Sequence, residues 1–335
     1  MVLTLGEILL RLSPEFGGTW IRQAAIPVFI GGAELNAATA LANWDIPVAY
    51  CSALPDNALS REIETYLREK NIHTEKLIWG GERIGIYMLP QGADLKNAGV
   101  IYDRAHSSFS GLKKEGRDWE TLLQGVTYLH LSAISPALNQ DVADLCVEAA
   151  RQAASRGITV SFDLNYRAKL WKYGKQPADI VPEIVQYCHV VMGNIWAAHT
   201  LLGIDIDPEV ALNRAGKEDY LRQAELTSRQ ITERFPAVHT VANTFRFDAG
   251  QGINYYATFL SGQDFVVSRE FNTGKVVDKV GSGDCFMAGL LYGLYRGLEP
   301  QQTINFAASA AFGKLQEYGD ATTQTITDVL NRIEQ

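Results

Sequence analysis

Short apolar runs alternate along the chain with longer stretches whose apolar positions recur at helical spacing. Val2–Leu5 reads as a first strand ending in Gly6-Glu7. Ile8–Leu12 continues it until Ser13-Pro14 stops the run, and Phe16–Pro27 is a turn-rich surface excursion. Gly31 and Gly32 then open a helix of small residues through Ala42, with Glu34 and Asn36 in its first turns. Val48–Ala53 is the next strand, and Asp56–Asn71 the next helix, containing Ile63, Tyr66 and Leu67. That succession predicts a layered sheet with helices on its faces.

The rhythm breaks between Leu77 and Arg104. Ile84–Leu89 and Gly99–Tyr102 are β-rich runs parted by Pro90, Gly92 and Asn97, which predicts hairpin-like strands of a small accessory sheet. With the excursion after Pro14 they would form a lid. Strands then return at Gly125–Leu131, Ile158–Phe162, Tyr187–Met192 and Val238–Ala242. Helices fall between them at Asn139–Arg156, Ile195–Leu202 and Glu218–Phe235. Gly252–Phe271 alternates in part and predicts antiparallel edge strands. Helices ending at Arg296, running from Pro300 to about Leu315, and spanning Ile326–Arg332 close the chain. No repeat or dividing linker stands out, so the expectation is one α/β domain over 1–335, with lid strands from about 10–30 and 77–110.

Composition narrows the function. With 47% hydrophobic and 20% charged residues among 335, the chain can bury a full core. A net charge of -8 with no Lys/Arg stripe argues against nucleic acid and anionic membranes as partners, while small anionic substrates stay allowed. Cys51, Cys146, Cys188 and Cys285 lack CxxC spacing and read as reduced, mostly buried thiols of a cytoplasmic protein. Cys285 lies near a helix start, where a thiolate is favoured. The N-terminus shows no secretion signal, and no segment approaches the length of a membrane span.

Candidate chemistry gathers at Asp278-Lys279-Val280-Gly281-Ser282-Gly283-Asp284, which leads into an apolar helical run. Glycines bring backbone N–H groups close to a ligand, and a helix start favours anions. Asp284 is then either a helix cap or a general base. Gly31-Gly32 reads equally as tight packing or as a ligand platform. At the end of Ile158–Phe162, Asp163, Asn165 and Arg167 form a polar cluster in which Arg167 either clamps a carboxylate or pairs with Asp163. Tyr87, Tyr102 and Arg104 project from the lid and would suit a hydroxylated acid. The six histidines show no metal-ligand spacing. A glycine turn beside a carboxylate is the combination phosphoryl transfer uses, and a lid that excludes water favours transfer over hydrolysis.

These residues carry a resemblance. Asp278–Asp284 with the following Cys285-Phe286-Met287-Ala288-Gly289 resembles the second signature of ribokinase-like (PfkB) carbohydrate kinases, and Gly31–Ala38 resembles their N-terminal glycine signature. The similarity extends to sugar-acid kinases through Gly6–Ser13, Tyr102-Asp103-Arg104 and Asp163–Trp171. It implies a three-layer α/β/α sandwich with a small β-sheet lid, ATP and Mg²⁺ as partners, and phosphorylation of the C6 hydroxyl of 2-keto-3-deoxygluconate. Asp284 would be the base, and Gly281, Ser282 and Gly283 the anion hole. Gly32, Asn36, Tyr87, Tyr102, Arg104, Asn165 and Arg167 would contact the sugar acid. Asn194, Arg246, Asp278, Asn305 and Ala308, with Gly281 and Gly283, would face the nucleotide. The family's N-x-x-E acid is replaced by Ala197 here, and Thr-x-Gly-x-x-Gly by Asn243-Thr244-Phe245-Arg246, which leaves no assigned metal ligand. The open alternatives are a kinase for fructose or a 5-keto-2-deoxy acid, and a non-catalytic sugar-acid-binding regulator. A homodimer or higher homo-oligomer through the lid is also expected.

Overall fold

The computed structural model describes residues 1–15, 20–21, 25–91, 99–250 and 252–334; parts of the Phe16–Pro27 excursion, and Gly92 and Asn97, lie outside them. Its centre is a large sheet in the spatial order Asp264–Val267, Gly252–Ser261, Thr240–Ala249, Val190–Gly193, Thr159–Asp163, Tyr128–Ser132, Val2–Leu5, Val48–Cys51, Ile72–His73. From Thr240–Ala249 to Ile72–His73 every neighbour is parallel. Gly252–Ser261 turns the far edge antiparallel and pairs with both Asp264–Val267 and Phe271–Thr273.

Side chains alternate across each parallel strand, so the sheet feeds two cores. Val48 and Tyr50 point into one, shared with the helices Ala33–Asn43, Ser282–Arg296 and Pro300–Lys314. Ala49 and Cys51 point into the other, closed by Gln140–Ala154, Pro177–Val185 and Ile195–Leu202. This is the layered α/β architecture expected from the pattern. All four cysteines are free and buried. For Cys285 burial pushes the thiol up, so the helix start does not make it a thiolate.

Beside the large sheet stands a small one in the order Val28–Gly31, Leu9–Leu12, Gly85–Met88, Ile101–Asp103. Gly85–Met88 and Ile101–Asp103 pair antiparallel, as the hairpin reading requires. Leu9–Leu12 does not extend the first strand but crosses into this sheet. Its inward residue Leu9 packs with Tyr87, Val100 and Val280, which seats the small sheet on the glycine turn.

Three expectations change. Val28–Gly31, directly after the turn-rich excursion, is a strand that takes Gly31 away from the helix start; its apolar run is too short to stand out from its surroundings. Thr240–Ala249 is ten residues long, so Asn243–Arg246 lies within the strand and not at its end. The helix Pro177–Val185 carries Pro177 at its start and Pro182 inside, and these two breakers hide its signal.

Candidate active site

A cavity of about 960 Å³ opens at the carboxyl ends of the parallel strands, under the small sheet, where open α/β sheets place their ligands. The glycine turn lines it through Gly281, Ser282, Gly283 and Asp284. Gly281 is the N-cap of Ser282–Arg296 with φ 77°, a left-handed conformation. A Cβ there would stand 1.8 Å from the Asp320 carbonyl oxygen, so the turn tolerates no side chain.

Asp284 does not cap the helix. Its Oδ2 accepts a hydrogen bond from Asn36 Nδ2 at 2.7 Å, and its Oδ1 faces Asn165 Nδ2 at 3.5 Å. Burial pushes its carboxyl up to about 7, against the pull of Asn36 and Arg167, with Glu34 and Asp320 adding to the rise. A proton acceptor poised near neutrality is what general-base work needs. Asp163, from the next wall, is held well above the usual carboxylate range by burial first and by Asp284 second.

Gly32 and Asn36 enter the cavity from the start of Ala33–Asn43. Gly32 has φ 139°, and a Cβ would lie 2.4 Å from the Glu7 carbonyl oxygen. The close-packing reading of the glycine pair therefore holds, and Gly32 also lines the cavity. Glu34, in the same turn, accepts from Ser132 Oγ at 2.6 Å.

Arg104 reaches the cavity but is not open to solvent: at 5% exposure its Nε donates to Glu7 at 2.5 Å. Glu7 also accepts from Ser107. Glu7 was not singled out by sequence reasoning, although an acid directly after the first strand was the available signal. Tyr87 lines the cavity while its hydroxyl donates to Asp320, so its hydroxyl is already committed. Tyr102 lines it half-buried. Arg167 lines it too; its Nη1 donates to the Tyr166 carbonyl at 2.9 Å, and no Asp163–Arg167 ion pair forms among the described residues. Lys169, at the same wall, bonds the Val100 carbonyl and so ties this loop to the small sheet.

At the opposite end lie Asn194, Arg246 and Lys279. The Asn194 side chain caps Ile195–Leu202 by accepting from Ala197 N at 2.8 Å. Lys279 pairs with Asp248 at 3.2 Å. Three expected nucleotide contacts are elsewhere. Asp278 is 1% exposed and accepts from Arg11 and from Val280 N. Asn305 accepts from Arg269 N at 2.9 Å, away from the cavity lining. Ala308 is fully buried in the core, where its methyl has no free face. Among the described residues no group of three His, Cys, Asp or Glu side chains is placed to hold a metal ion.

The cavity thus brings a buried carboxylate with a raised pKa, a glycine turn at a helix start and the cationic side chains of Arg104, Arg167, Lys169, Arg246 and Lys279 within one space. The model of the pfkB family carbohydrate kinases matches residues 1–327. A crystal structure of 2-dehydro-3-deoxygluconokinase from Thermotoga maritima is similar with TM-score 0.89 and 31% identity, over 100% of this chain and 99% of that one. A 2-dehydro-3-deoxygalactonokinase from Haloferax volcanii is 27% identical over 98% of this chain and 95% of its own length. A 5-dehydro-2-deoxygluconokinase from Shouchella clausii is 21% identical over 92% of this chain and 88% of its own. The chain belongs to the pfkB family of carbohydrate kinases.

Proposed function

We propose that this ATP-dependent carbohydrate kinase phosphorylates the C6 hydroxyl of 2-keto-3-deoxygluconate, giving the 6-phosphate and ADP. The observation that carries the reading is Asp284, oriented by Asn36 and Asn165 beside the glycine turn and in the same cavity as Arg167. As the sugar oxygen attacks the terminal phosphorus and the bond to ADP breaks, the hydroxyl proton passes to the Asp284 carboxylate. Backbone N–H groups of Gly281–Gly283 and the helix start receive the negative charge of the transferred group.

Gly32 and Asn36 meet the sugar hydroxyls. Arg167, with Arg104, Asn165 and Tyr102, holds the keto-acid end, since a carboxylate calls for a guanidinium where a neutral sugar does not. Tyr87 contributes its ring, its hydroxyl being taken. Asn194, Arg246 and Lys279 face the nucleotide. The chain offers Mg²⁺ no carboxylate cage among the described residues, and this donor set suits an ion that arrives on the ATP phosphates with water completing its shell. The small sheet acts as the lid of a single domain, the protein works in the cytoplasm, and the lid joins subunits.

A coupled ADP-release screen over sugars and sugar acids tests the substrate. Strong turnover of 2-keto-3-deoxygluconate with little on fructose supports the reading; the reverse overturns it. The names of the Haloferax and Shouchella relatives favour two further acids for the same screen, the galactonate epimer and the 5-keto-2-deoxy acid.

A further inference from the structure

Beneath the glycine turn, on the side away from the cavity, lies a buried charge cluster that the reaction does not use directly. Arg11, on Leu9–Leu12 of the small sheet, is fully buried. One of its terminal nitrogens donates at 3.0 Å to Asp278 and at 3.0 Å to Asp320. Asp278 in turn accepts from the Val280 backbone N–H at 3.1 Å, immediately before the turn. Asp320 accepts from the Tyr87 hydroxyl, and its carbonyl packs against Gly281. Lys314 is also fully buried behind Gly281 and bonds the Glu317 carbonyl at 3.3 Å. Two cations thus balance two carboxylates.

Stability alone is a weak reason for such a cluster. Arg11 Nε and its second terminal nitrogen are buried without a hydrogen-bond partner, and apolar packing commonly serves as well as a buried ion pair. What the cluster does provide is direction. It fixes the N-terminal side of the turn at two adjacent residues, Val280 through Asp278 and Gly281 against the Asp320 carbonyl, and it ties them to two strands of the small sheet.

We propose that Arg11 and Asp320 are positioning residues for phosphoryl transfer: touching neither substrate, they hold the Gly281–Gly283 turn in the shape that receives the transferred phosphate. This rests on the anion role proposed for that turn.

The test is the double variant R11M/D320N, which removes one charge of each sign and keeps an acceptor for Tyr87. Three readouts are needed: cooperative thermal unfolding, sugar-acid affinity by calorimetry without nucleotide, and kcat at saturating ATP. A folded variant should bind the sugar acid within about twofold of wild type while kcat falls about 10-fold or more. Unchanged kcat, or a kcat loss matched by an equal loss of affinity, overturns the proposal. If the double variant fails to fold, Arg11→Lys, which keeps the charge but not the fork, is read by the same criteria. D284N is run alongside. If it keeps full turnover, the parent reading of the site fails; if it is inactive while the double variant is fully active, only the positioning role fails.

Discussion

Replacing Asp284 by Asn is expected to yield a more stable and nearly inactive protein. In the folded chain burial lifts this carboxyl from 3.8 to about 7. Between those values the folded state holds a proton that the unfolded state has released. Stability therefore falls as pH rises from the unfolded value through about 7, and levels off above it. At about 1.4 kcal/mol for each tenfold in proton affinity, the full span amounts to roughly 4 kcal/mol, an upper limit because the neighbouring carboxyls share the proton. The amide of the variant would stay neutral at every pH and would keep an acceptor for Asn36. Its stability advantage should be largest near about pH 8 and should shrink towards about pH 5. Thermal melts of both proteins across that range measure it, and superimposable Tm–pH curves would refute the reasoning. The same change removes the proton acceptor, so kcat should drop about 10²-fold or more with little change in sugar-acid affinity. Wild-type kcat/KM should rise with pH through a midpoint near about 7, the carboxyl's own value.

Other expectations follow from the same geometry. Arg167→Ala should raise KM for the acid by about 10-fold or more, and, since Arg167 holds the Asp284 carboxyl down, it should move the acid limb of the rate profile to higher pH; an unchanged KM assigns the carboxylate to another residue. Gly281→Ala must fit a methyl 1.8 Å from a carbonyl oxygen at φ 77°, and should cost more than about 1 kcal/mol in denaturant unfolding as well as turnover. Val28 and Ile101, 55% and 49% exposed, sit on the two edge strands of the small sheet, where unpaired backbone invites another chain. Light scattering after size exclusion should show a dimer that Val28→Lys with Ile101→Lys returns to monomer; a wild-type monomer ends that idea.

The parts legible in sequence were those in which local signals and tertiary need coincide. Asp284, the glycine turn and Asn36 are near helix starts, which announce themselves through glycine and a polar first turn, and the fold brings them together. The large parallel sheet was legible through its alternation with helices. What escaped was set by partners far away in the chain. Arg11 is a charge inside an apolar run, and only its pairing with Asp278 and Asp320, 267 and 309 residues on, explains it. The same pairing takes Asp278 out of the cavity. Glu7 became meaningful only once Arg104 lay against it. Ala308 faces inward because its helix is buried almost all round, a property that an alanine-rich stretch does not advertise.

The crowding of acids around Asp284 also has a consequence for proton traffic. Burial acts to keep protons on Asp284, Asp163 and Glu34. A ligand that arrives carrying a carboxylate or a polyphosphate adds negative charge beside them and displaces water, both of which strengthen their hold on protons. Arg104, Arg167, Lys169, Arg246 and Lys279 line the same cavity and pull the other way. Where the acids outweigh those cations, filling the site draws protons from the buffer, and the carboxylate proposed as the base has to give one up before it can take one from the sugar. On that proposal substrate affinity and turnover would be pulled in opposite directions by pH, and the working pH would be a compromise between a site that fills best when acidic and a base that works best when not.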